Sequence, residues 1–170
     1  MATPAKPLDV CVGTCVLINF ALVGRVDLLA QIADLVFHVP QEVLREITMV
    51  EQRKQVDAVV ASGGLKLTKI EAVEELQAFA EYVGQFGTGE SACLALATCR
   101  KWTVATDETK DKRLSREIAA RGLQIINTPG LLLKAIRRGV LSVEAADEIK
   151  AELERNRFRM DFVSFKELVG

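Results

Sequence analysis

Short apolar runs alternate with longer stretches of helical periodicity along this chain, and brief turns separate them. Residues 8–12, 35–39, 102–106 and 123–127 read as strands, and 65–70, which alternates apolar and polar side chains, as an edge strand. Residues 16–32 are helical with a break at Gly24. The pattern opened by Pro40 runs to Ala61, where Ser62-Gly63-Gly64 stops it. Val43, Leu44, Ile47 and Val50 form one apolar stripe in that helix. Further helices are predicted over 71–82, 90–99 and 109–120, from Pro129 to Gly139, and from a Ser142 cap to about Arg155. Parallel strands cannot be joined by hairpins and need a crossover, usually a helix. The alternation therefore predicts an α/β fold, a mostly parallel sheet with helices on both faces. In such folds ligands bind at the carboxyl ends of the strands.

A chain of 170 residues is about one domain at ~150 residues each, so residues 1–170 are expected to form a single unit, with 142–170 as a helical and extended closing segment. Its 22 basic and 23 acidic side chains nearly cancel, which excludes binding to nucleic acid by bulk positive charge. Any such contact must come from a local patch. The longest uncharged run, residues 10–24, is broken by Gly13, Thr14 and Asn19 and falls short of the ~20 apolar residues of a membrane span. Pro4, Pro7 and Asp9 interrupt what a secretory leader would need, so a cytoplasmic protein with no membrane partner is expected. The cysteines at 11, 15, 93 and 99 form no Cys-x-x-Cys pair, and His38 is the single histidine. Zinc spacing is absent, and buried reduced thiols are the expectation. Histidine-assisted nucleophilic catalysis would have to rest on His38 alone, in a strand-like run.

What remains for chemistry is carboxylates. Asp107 and Glu108 follow the strand at 102–106 directly. Glu90 follows Gly87-Thr88-Gly89 at a helix start, where the dipole favours an anion. Glu46 lies beside the Val43/Ile47/Val50 stripe at 100° per residue, at the border of the core. Oxygen ligands without His or Cys suit a hard cation such as Mg²⁺ or Mn²⁺, which clamps phosphoryl oxygens and activates water. Each acid also has a plain reading. Asp107 reads as the cap of the helix from Thr109, Glu90 as a first-turn acid, and Glu46 as a solvated side chain beside Arg45.

Five segments in order resemble the PIN-domain nucleases, particularly the branch related to VapC-type toxins and to nucleic-acid-binding PIN proteins of prokaryotes. They are VGTCVLINFALVGRVDLL, HVPQEVLREI, GTGESACLALA, TVATDETKDKRLSREIAARGLQIINTPGLLLKAIRRGVLS and LERNRFRMDFVSFKELV. The resemblance implies a three-layer α/β/α sandwich and metal-dependent cleavage of RNA. It implies Glu46, Glu90 and Asp107 as catalytic metal carboxylates, Glu108 where the family often has a further Asp, and Thr14 as the small hydroxyl residue after the first acid. It also implies a homodimer, and for toxin members an antitoxin partner.

One position departs from the family. The first acid, an Asp at the end of the opening strand, falls on Gly13. Asp9 is four residues upstream, roughly 13 Å along the strand at ~3.3 Å per residue, at the wrong end. Three explanations stand: a natural non-catalytic relative, a poorer site completed by Glu108 and water, or an introduced change. The basic side chains expected to meet RNA are Lys110, Lys112, Arg113 and Arg116 after the acid pair, then Arg137-Arg138 and Arg155/Arg157/Arg159. The plain reading of these basic side chains, and the favoured one, is a solvated helix face. Aromatic residues are only 5% of the chain, so backbone contact is expected to outweigh base stacking. The stripe Val143, Ala146, Ile149 and Leu153 fits either the chain's own core or a partner.

Overall fold

The computed structural model describes residue 3, residues 5–108 and residues 110–170. Five strands form one sheet in the order β3-β2-β1-β4-β5, and every pairing is parallel. They are β1 (Leu8–Val12), β2 (Leu35–Pro40), β3 (Lys66–Thr68), β4 (Thr103–Ala105) and β5 (Ile125–Ile126). Register pairs Cys11 with His38 on one side and with Val104 on the other. The predicted sheet is thus all parallel, with 65–70 as its edge, although β3 to β5 are shorter than their apolar runs.

Helices fill each crossover. α1 (Thr14–Leu22) and α2 (Asp27–Gln31) join β1 to β2, and Gly24 turns between them at φ +66°. α3 (Gln41–Glu46) and α4 (Val50–Ala61) lead to β3, α5 (Val73–Val83) and α6 (Thr88–Arg100) to β4, and α7 (Lys112–Ala120) to β5. After β5 come α8 (Thr128–Arg137), α9 (Val143–Arg155) and α10 (Lys166–Val169). α6 lies against β1, β2 and β4, so its residues from Ser91 to Ala97 are buried nearly all round. α2 packs on β2, α8 on α2, and α9 on α8. The stripe Ala146, Ile149 and Leu153 therefore closes the protein's own core.

Two expectations change. The helix predicted over 40–61 is two helices, because Ile47 leaves the helical region at ψ 93° and buries its side chain. Consecutive β-branched residues, Ile47 and Thr48, weaken the helix there. The break turns Val50 out to 75% exposure, so it is no part of the core stripe. The helix predicted from Thr109 starts at Lys112, with Asp111 as its cap accepting from the N–H groups of Arg113 and Leu114. Thr109 itself lies outside the described residues. Asp107 is consequently free of the capping role. Cys11 and Cys93 are buried as expected, but Cys99 is exposed.

Candidate active site

The chain leaves β1 towards β2 and β3, then returns to place β4 on the other side of β1. That reversal makes the carboxyl ends of β1 and β4 the switch point where open parallel sheets bind ligands. Gly13 closes β1 there, and its N–H donates to the Ala105 carbonyl at 2.9 Å. Asp107 follows β4 on the same rim.

Asp107 is held by three donors. The Thr128 N–H reaches Oδ1 at 2.7 Å, the Thr128 hydroxyl reaches Oδ2 at 2.5 Å, and the Asn19 amide reaches Oδ2 at 2.9 Å. Its own N–H points to Cys15 Sγ at 3.4 Å. Burial pushes the Cys15 thiol up, so that sulfur stays protonated beside the acid. Glu46 ends α3 and reaches the first turn of α6. Its Oε1 accepts from the Gly89 N–H at 2.8 Å and its Oε2 from the Thr14 hydroxyl at 2.5 Å. A side chain at 89 would collide with the Glu46 carboxylate and Thr14 Oγ1, which explains the glycine between Thr88 and Glu90.

Glu90 is half-buried and its pKa is raised, first by burial, then by the charges of Glu108, Asp111 and Glu46. Glu90, Glu46, Glu108 and Asp111 thus share one negative field. Asp107 lies beyond Thr14 and Cys15 on the same rim. Sequence reasoning missed Asn19, Thr128 and Asp111. Asn19 had a signal, being the single amide inside an apolar run.

Two other predicted groups go elsewhere. Asp9, at the start of β1 as expected, pairs with His38 Nε2 at 2.8 Å, and the His38 ring stacks on Trp102 at 3.9 Å. Arg138 binds Asp34 at 3.0 Å and Arg137 the Leu168 carbonyl at 3.4 Å, so both serve the fold. Arg113 and Arg116 are exposed on α7, while Lys110 reaches a depression of about 790 Å³ that opens beside Asp107 and Glu108.

The donor set suits a hard cation: the acids supply oxygen alone, and Glu90, raised first by burial, also feels the charges of Glu108, Asp111 and Glu46. The spacing is open, for among the described residues no three His, Cys, Asp or Glu side chains stand close enough to grip an ion. Gly13 stands at the end of β1 on this rim. Its backbone, at φ −80° and ψ 163°, is ordinary extended chain, and an added Cβ would meet only the Ala105 carbonyl oxygen at 3.1 Å. A cavity of about 20 Å³ lined in part by Gly13 and Glu90 lies against it.

The fold is thus an all-parallel α/β sheet with carboxylates spread along the rim of its switch point. A family model described as PIN domain (DUF3368) matches residues 9–168, and the chain belongs to that family. Among solved structures, it is similar to a chain of VapBC2 from Rickettsia felis, bound to a DNA fragment from their promoter, with 15% identity and a TM-score of 0.49. The match covers 71% of this chain and 98% of that one. No curated protein matches. No helix among the described residues is long and apolar enough to cross a membrane.

Proposed function

We propose that this protein is a divalent-metal-dependent ribonuclease of the PIN type whose ion site is weakened by Gly13. The observation that carries the reading is the placement of Glu46, Glu90 and Asp107 at the carboxyl rim of the sheet, with Glu90 raised by burial and then by its acidic neighbours. Glu46, Glu90 and Asp107 would hold Mg²⁺ or Mn²⁺, with Glu108 as a further ligand. A bound ion would polarise a phosphoryl oxygen and lower the pKa of a water. The chain's own part is orientation. Thr14 and the Gly89 N–H fix the Glu46 carboxylate, and Thr128 and Asn19 fix that of Asp107. Lys110 lies beside the acids, suited to a phosphate backbone. Arg113 and Arg116 extend the basic surface along α7. On this reading residues 1–170 act as one domain in the cytoplasm, as a homodimer, and an antitoxin protein would be the partner if the nuclease is a toxin.

Gly13 favours a second reading, a non-catalytic PIN module that binds RNA or a protein. The test is cleavage of a mixed single-stranded RNA with Mn²⁺. Turnover that stops with chelator, and with Asp107→Asn or Glu46→Gln, supports the nuclease. RNA binding with no turnover supports the second reading, and turnover that survives the chelator contradicts the metal-dependent one.

A further inference from the structure

We propose that the closing segment from Arg157 to Phe162 forms a seat for one unstacked nucleotide of single-stranded RNA beside the acids. The inference rests on the nuclease reading and names where its substrate is held. The depression of about 790 Å³ has Asp107, Glu108 and Lys110 on one wall and this segment on the other. That volume lies within the ~300–1,000 Å³ of ordinary ligand pockets.

α9 ends in a six-residue hydrogen-bonded turn. The Phe158 N–H donates to the Leu153 carbonyl at 3.0 Å and the Arg157 N–H to the Glu154 carbonyl at 3.1 Å. Arg157 occupies the left-handed position of this turn at φ 69°, where glycine is the usual residue. An arginine there is not explained by the turn. Lys101 ends α6 in the same conformation at φ 58°, and of the two it is Arg157 that lines the depression. Among the described residues neither Arg157 nor Arg159 is held in an ion pair, whereas Arg100, Arg121 and Arg138 are. Free guanidinium groups fit phosphate oxygens bidentately.

The aromatic side chains divide the remaining work. Phe162 is committed to the wall, edge-on to Phe165 at 4.9 Å and under the Lys150 ammonium at 5.6 Å. Phe158 is half-buried, packed against the core and lining the depression, with no aromatic partner among the described residues, which leaves it as the ring for a base. Phosphate would lie on Arg157, Arg159 and Lys110, and the base on Phe158, which places the adjoining phosphodiester towards Asp107.

The test is binding of a labelled single-stranded hexaribonucleotide to the full chain with chelator present, so that cleavage is not required. Arg157→Gly with Arg159→Gln should weaken binding about tenfold or more. The slope of log affinity against log salt should fall by about 1.4, from two phosphate contacts at ~0.7 each. Arg157→Gly suits the turn, so its Tm should hold or rise, and Arg157→Asn provides a second variant that tolerates the same backbone. Arg25→Gln with Arg53→Gln, which removes equal charge elsewhere, should change binding less than twofold. Phe158→Leu should weaken the hexamer about fivefold or more and leave an abasic oligomer of equal length unchanged. Losses in the arginine pair no greater than in the charge-matched control would overturn the proposal. So would a Phe158→Leu loss equal for the abasic oligomer. If Gly13→Asp cleaves RNA undiminished by the arginine changes, the seat alone fails. If these binding losses appear while no variant cleaves, the nuclease reading alone fails.

Discussion

The carboxylate of Asp107 and the backbone and hydroxyl of Thr128 are joined twice, at 2.7 and 2.5 Å, across the ends of β4 and β5. This pair ties the acid to the first turn of α8 as firmly as it aims it at the rim. Thr128 is 1% exposed, so the space of a lost hydroxyl is closed to water, and Asp107 Oδ2 would keep only the Asn19 amide. Thr128→Val should destabilise the fold by about 1–3 kcal/mol, a fall in Tm of roughly 2–12 °C. Thermal unfolding checks this; an unchanged Tm would mean that the pair is not structural.

Gly89→Ala separates the site from the fold. The new methyl group would push the Glu46 carboxylate off the α6 N-terminus, while alanine favours the helix by about 1 kcal/mol. Stability should stay within about 1 kcal/mol of the parent, because Glu46 is exposed and can swing into solvent. Mn²⁺ affinity by calorimetry should fall about tenfold or more, since one fixed ligand is lost. Retained affinity would show that Glu46 is not a ligand.

Glu90 makes a pH prediction. Its pKa is raised in the folded state, so between the ordinary glutamate range and that raised value the folded protein keeps a proton that the unfolded chain has released. This contribution to stability is present at lower pH and is lost as pH rises through the raised pKa. Glu90→Gln should therefore increase Tm at neutral pH and flatten its fall across that window. Mn²⁺ should stabilise the parent more than the variant. A lower Tm for Glu90→Gln at neutral pH would contradict the shared negative field.

Away from the site, Glu75 and Arg100 set the acid limb. Glu75 accepts from Arg100 at 2.6 and 3.1 Å and from the N–H groups of Glu71 and Ala72, and the Arg100 guanidinium first of all holds its carboxyl below the usual range. The stabilisation is present above the ordinary carboxylate range and lost as pH falls through the depressed value. Glu75→Gln should cost about 1–3 kcal/mol at neutral pH and much less in acid, measured by urea unfolding at both. Equal losses at both pH values would contradict the ionic origin.

The parallel α/β alternation and the place of the acids at strand and helix ends were legible because both follow from local pattern, whereas the strand order was not. β1 is the run 8–12 itself, and Asp107 and Glu90 lie at the strand end and helix start that their neighbours imply. The break at Ile47 was hidden because the apolar stripe continues through it; only burial of Ile47 against the sheet turns Val50 outwards. Asn19 and Thr128 were hidden for another reason. They meet Asp107 across 88 and 21 residues of chain, and no periodicity encodes that meeting. The same holds for Phe158, whose value depends on a turn that a sequence with arginine in the glycine position does not announce.

If Glu46, Glu90 and Asp107 hold an ion as proposed, Gly13 stands where a further carboxylate would complete the site. The most direct measurement is the rate of single-stranded RNA cleavage at limiting Mn²⁺ by the natural chain and by Gly13→Asp, each with a chelator control. The backbone at Gly13 admits a side chain once the Ala105 carbonyl gives by a few tenths of an ångström, so both should fold with similar Tm. Gly13→Asp is expected to cleave about tenfold faster or more, with chelator stopping both. A folded Gly13→Asp no faster than the natural chain at any Mn²⁺ concentration would contradict the proposed site.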